Sequence, residues 1–135
     1  MSTKIIYTGK THTTGGRDGA SRSSDGHLDV QLSHLGTGSG TNPEQLFAAG
    51  WSACFLGAIG KAAAEHKVRV PADAVVDAEV DLALGEDGYS LRARLNASLP
   101  GIERDLALRL VERAHQLCPY SKATRGNIDA ELNVA

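Results

Sequence analysis

Cysteine is nearly absent from this chain of 135 residues: there are two, Cys54 and Cys118. The opening Met1-Ser2-Thr3-Lys4 carries neither the basic n-region nor the apolar core of a secretory leader. Together these features argue against a disulfide-stapled secreted scaffold and for a reducing compartment, with the cytoplasm as the default expectation. Basic excess is missing too. A net charge of −2 leaves no electrostatic footprint for nucleic acid or an anionic membrane. A zinc site needs four clustered donors, whereas His12, His27, His34, His66 and His115 are scattered and the cysteines lie 64 positions apart. No repeat, low-complexity tract or linker interrupts the chain, so residues 1–135 read as one domain large enough to bury a core.

Long apolar runs are scarce, and the longest organises the rest. From Gln45 to Gly60 there is no charged residue, and Glu44 and Lys61 close the run. That is short of the ~20 apolar residues a membrane span requires. Asn42 is a favoured helix N-cap, Pro43 suits the first helical position, and Gln45 falls where a capping-box partner reaches back. A helix apolar all round must be buried. Its small residues, Ala49, Gly50, Ala53, Gly57 and Gly60, let another backbone approach closely. The sequence predicts that it continues through Glu65 and ends near His66.

Around this helix the periodicity is mostly that of strands. Lys4–Thr14 is rich in β-branched residues and reads as one or two strands, followed by a Gly15-Gly16-Arg17-Asp18-Gly19 turn. Leu28, Val30 and Leu32 alternate with polar residues as a half-buried strand. Gly36-Thr37-Gly38-Ser39-Gly40 lacks the Gly-Lys-Ser/Thr ending of a phosphate-binding loop and reads as a flexible connection. After Pro71, Val76 to Leu84 and Tyr89 to Leu99 form the strongest hairpin in the chain, turning at Gly85-Glu86-Asp87-Gly88. Ile102–Leu117 is an amphipathic helix that stops at Cys118, because the residue before Pro119 is biased out of the α region. Ile128, Ala130, Leu132 and Val134 alternate as a closing strand. Hairpins grouped around two helices, with few βαβ units, indicate an α+β fold.

Taken alone, Cys54 is more often a core residue than a nucleophile, since free cysteine is among the most buried residue types. Cys118 is equally ambiguous. His115, three residues before it, reads as a side chain favoured by the helix C-terminus rather than as a base for the thiol. Local sequence decides more. Asn-Pro-Glu-Gln-Leu-Phe-Ala-Ala-Gly-Trp-Ser-Ala-Cys-Phe (42–55) and Cys-Pro-Tyr-Ser-Lys-Ala-Thr-Arg-Gly-Asn-Ile (118–128) resemble the two signatures of the organic hydroperoxide resistance proteins, the Ohr branch of the OsmC-like superfamily. The Gly-Gly-Arg-Asp-Gly turn at 15–19 resembles that family's arginine-bearing loop, and the likeness extends over essentially the whole chain. One departure is Trp51, where the family pattern suggests tyrosine; both are large aromatics, so the difference bears on pocket shape.

The resemblance implies an intertwined α+β homodimer, with antiparallel strands around two long central helices and active sites at the interface. It implies Cys54 as the peroxidatic cysteine, Cys118 as the resolving one, and Arg17 and Glu44 as a polar pair that activates Cys54. It further implies no tightly bound cofactor, and re-reduction by a dihydrolipoyl dithiol carried on a lipoylated protein. The chemistry fits these roles. A peroxidase cysteine must be a thiolate, yet burial in mid-helix raises a thiol pKa and leaves the N-terminal dipole too remote to help. A fixed cation is needed, which Arg17 can supply, and a carboxylate such as Glu44 can orient a guanidinium. Phe47, Trp51 and Phe55 are the expected walls of an apolar substrate pocket, although for Phe55 plain core packing is an equal reading. A function of another class is a non-catalytic dimeric redox sensor or hydrophobic-ligand binder using the same cysteines. The chain lacks a DNA-binding motif, which weakens a self-contained transcriptional sensor.

Overall fold

A computed structural model describes residues 3–135. The described residues fall into two compact units that divide after Pro43. The architecture is α+β, with three α-helices and two three-stranded sheets among the described residues.

In the first unit β1 (Thr11–Thr14), β2 (Ala20–Ser23) and β3 (Asp29–Gln31) form an antiparallel sheet in that order. The β1–β2 connection holds a short 3₁₀ turn, Gly16–Asp18. Gly15 at φ 74° and Gly16 at φ 59° supply the left-handed backbone that starts it. The expected strand over Ile5–Thr8 does not form. Residues 3–10 have no regular structure, and Ile5 and Ile6 are 85% and 86% exposed. Their β propensity finds no neighbouring strand among the described residues, and propensity without cross-strand packing does not make a strand.

The second unit is built on α1 (Pro43–Glu65), which begins and ends where the sequence signals place it. In length and apolarity α1 meets the test for a membrane span. Its Trp51, Phe55, Ala58, Ile59, Ala62 and Ala63 are buried in the protein core, whereas Ala49, Ala53 and Gly57 are exposed, so one face is buried and not the whole helix that the sequence predicts. β4 (Val75–Gly85) and β5 (Gly88–Ser98) pair antiparallel from Val75↔Ser98 to Gly85↔Gly88. The turn needs a left-handed residue, and Gly88 at φ 100° provides one. From β5 the chain passes through α2 (Arg104–Leu117) and α3 (Pro119–Thr124) to β6 (Ala130–Val134), which lies parallel to β5.

Ala93, Leu95 and Ala97 of β5 meet Ile59 and Ala62 of α1 and Ala107, Leu110, Val111 and Ala114 of α2 in one core. β5 alternates strictly enough to bury one face and leave Arg94 on the other, where it holds Asp81 in a two-bond clamp at 2.8 and 2.9 Å. α2 starts at Arg104 rather than Ile102, because the Glu103 carboxylate accepts from the Asp105 and Leu106 amides and so fixes the cap.

Candidate active site

Cys118 is the hinge between α2 and α3. At φ −65° and ψ 124° it is extended, as a residue before proline should be, and it ends one helix while preceding the next. This one-residue break turns its side chain toward the middle of α1. There Cys118 Sγ lies 3.3 Å from Cys54 Sγ, and both cysteines are free thiols. Cys54 is half-buried; Cys118 is 0% exposed.

Burial holds the Cys54 thiol above its ordinary pKa, and the adjacent Cys118 sulfur adds to the effect. Two groups pull the other way: the Tyr120 backbone N–H, which donates to the Cys54 sulfur, and the positive charge of Lys61. A cavity of about 260 Å³ opens beside Cys54. Gly57, Ala58 and Lys61 of α1 form one wall, and Leu117 and Pro119, on either side of Cys118, form the other.

The site is braced from behind. Trp51 Nε1 donates to Ser121 Oγ at 3.2 Å, a buried bond that ties α1 to α3. Phe47 stands edge-on to both Trp51 and Tyr120, with ring centroids 5.7 and 6.0 Å away. Phe55 tilts against His115 at 6.5 Å. Trp51 and Phe55 have 0% exposed surface, which for Phe55 agrees with the core-packing reading, and none of the three aromatics is among the residues that line this cavity. Beside Cys54 and Lys61 the lining is Gly57, Ala58, Leu117 and Pro119, which the sequence marks for helix packing and helix ends but not for a pocket, because none has distinctive chemistry. Lys61 has the only signal that could have been read: it follows Cys54 by seven positions, two helical turns along the same face.

Arg17 is half-buried in the 3₁₀ turn of the first unit. Glu44 is half-buried in the first turn of α1. It lies ten residues before Cys54, about 15 Å along a continuous helix, so it cannot touch the cysteine of its own chain. Among the described residues no three His, Cys, Asp or Glu side chains stand together as metal donors.

The OsmC-like protein family matches residues 36–133. The organic hydroperoxide resistance protein of Xanthomonas axonopodis pv. citri (strain 306) is 45% identical over 137 residues, spanning 98% of this chain and 96% of that protein. This chain belongs to that family, the organic hydroperoxide resistance branch of the OsmC-like proteins. Solved structures agree with the assignment. The crystal structure of the organic hydroperoxide resistance protein OhrB of Bacillus subtilis superposes with a TM-score of 0.91 at 39% identity, covering 97% of this chain and all of that one. A Vibrio cholerae structure, described as a putative organic hydroperoxide resistance protein with captopril bound in one of its active sites, gives 0.90 at 39% identity. It covers 99% of this chain and 95% of its own.

Proposed function

We propose that this family member is a thiol peroxidase that reduces organic hydroperoxides, fatty-acid hydroperoxides among them, to alcohols. The observation that carries the reading is the pair of free sulfurs 3.3 Å apart at the wall of a mostly apolar cavity. The Cys54 thiolate attacks the distal peroxide oxygen, and the O–O bond breaks. The alkoxide leaves with its electron pair and takes a proton to become the alcohol, while Cys54 becomes a sulfenic acid. The Cys118 thiol then condenses with that sulfenic acid, forming the S–S bond and releasing water. A dihydrolipoyl dithiol, as the family resemblance implies, returns two electrons and two protons by thiol–disulfide exchange and leaves as its own disulfide. No tightly bound cofactor takes part.

The raised pKa of Cys54 means that this chain's cavity does not by itself yield a thiolate near neutral pH. Arg17, oriented by Glu44, is the proposed activating cation. Because Glu44 cannot reach Cys54 along its own helix, Glu44 is assigned to a partner copy in a homodimer, the other arrangement being Arg17 bridging the distance. Exposed Ala49, Ala53 and Gly57 on α1 suit close crossing of two such helices. The cytoplasm, where free thiols persist, is the proposed location.

Multiple-turnover consumption of cumene hydroperoxide, with dihydrolipoamide as reductant, tests the reading. Sustained turnover and cycling between dithiol and intramolecular Cys54–Cys118 disulfide are expected. One equivalent consumed and no recycling would favour a sensor over an enzyme.

A further inference from the structure

The cavity beside Cys54 is lined by Gly57, Ala58, Leu117, Pro119 and Lys61 as well as by the cysteine itself. Cys54 and Lys61 are seven residues apart on one helix face, roughly 10 Å along the axis. Gly57, Ala58, Leu117 and Pro119 are apolar, and Lys61 is the one charged residue of the lining. The acidic side chain one turn further on is committed elsewhere. Glu65 receives two bonds from the Arg113 guanidinium, at 2.9 and 3.1 Å, so its charge is directed to α2. Lys61 thus leaves its positive end to whatever occupies the cavity.

From this we infer that Lys61 is a specificity-determining residue, reading an anionic end group on the substrate. The inference rests on the thiol-peroxidase reading and deepens it. The class it selects is an amphiphilic acyl hydroperoxide whose alkyl stretch lies along Leu117 and Pro119, with its peroxide at Cys54 and its carboxylate at Lys61. An apolar wall alone would accept any bulky hydroperoxide; a cation placed two turns away discriminates by length and charge. Because Lys61 is exposed, the attraction is that of a solvated ion pair and is screened by salt.

The test compares kcat/KM for linoleic acid hydroperoxide and for its methyl ester, below micellar concentrations, with dihydrolipoamide as reductant. Reading the ratio within each variant cancels any change in the thiol's own reactivity. The wild type is expected to favour the free acid by about two- to fivefold, residing in KM. Lys61→Met should bring the ratio to one, Lys61→Arg should keep it, and added salt should erode it in the wild type. An acid-to-ester ratio equal in wild type and Lys61→Met, or unmoved by salt, overturns the assignment. Cumene hydroperoxide turnover alongside either result leaves the peroxidase reading intact, whereas failure on all three substrates removes both.

Discussion

Cys54 and Cys118 share a contact but not an environment, and the difference bears on the division of chemistry proposed for them. A hydroperoxide entering the cavity meets the half-exposed Cys54, while Cys118 has no surface to offer. Cys54→Ser should therefore abolish peroxidase activity, and Cys118→Ser should retain one round of reduction and stop at the sulfenic acid. Trapping sulfenate in each variant checks this; sulfenate on Cys118 in Cys54→Ser at an undiminished rate would reverse the roles. Arg17→Ala should move the alkylation profile of Cys54 to higher pH, and Arg17→Lys should rescue it only in part, because an ammonium lacks the planar fork of a guanidinium. An unchanged profile in Arg17→Ala removes the activation argument. His115 gives a separate pH signature. Its Nδ1 is buried without a hydrogen-bond partner among the described residues, and burial, followed by the nearby Arg125 charge, lowers its pKa. The folded state thus prefers the neutral ring. The associated stability is fully present above the unfolded value of about 6.5 and is lost as pH falls through the folded pKa. Melting temperatures recorded from about pH 8 to about pH 5 should fall more steeply in the wild type than in His115→Gln.

Among the elements, α3 does the most with the fewest residues. It carries Tyr120, whose amide points at Cys54, and Ser121, whose hydroxyl accepts from Trp51. Ser121→Ala leaves the indole N–H buried and unpaired, so it should cost about 1–3 kcal/mol in denaturant unfolding and loosen the register of Cys118 against Cys54. Slower disulfide formation should accompany the stability loss. Gly50 is coupled to the same helix. A Cβ there would stand 2.8 Å from Tyr120 Oη, so an alanine forces the tyrosine to shift. α3 was not read from the sequence: its six residues begin with Pro119, which suits a first helical position, but they are too short to show an apolar period. The long elements were. α1 follows from its caps and its uncharged run, and the β4–β5 hairpin from strict alternation about a glycine-bounded turn. The segment around Ile5–Tyr7 misled because strand propensity is local while pairing is not. The cysteine pairing was legible as motif resemblance, but the cavity beside it was not. Its walls are residues such as Gly57 and Leu117, whose role comes from where two helices bring them.

For the molecule as a whole, the proposed homodimer would give a partner to surfaces that the single chain leaves exposed. Ile5, Ile6 and Tyr7 are 79–86% exposed, an apolar stretch of a kind that monomers rarely present. Ala49, Ala53 and Gly57 make an exposed stripe along α1. If two α1 helices cross antiparallel on a two-fold axis at that stripe, each Glu44 approaches the other chain's Cys54, which the ~15 Å separation forbids within one chain. The arrangement makes a prediction no single-chain site shares. Glu44→Ala and Cys54→Ser homodimers should both be inactive or nearly so. In the mixed dimer, the Glu44→Ala chain supplies an intact Cys54, and the Cys54→Ser chain supplies an intact Glu44 opposite it. One site is then whole, and the other carries both lesions. Refolding the variants together and isolating heterodimers by differential tags should recover about half of wild-type activity per dimer, as one intact site in a two-fold assembly requires. Verified heterodimers that stay silent would put Glu44 and Cys54 in a site formed by one chain, with Arg17 left to bridge the distance between them.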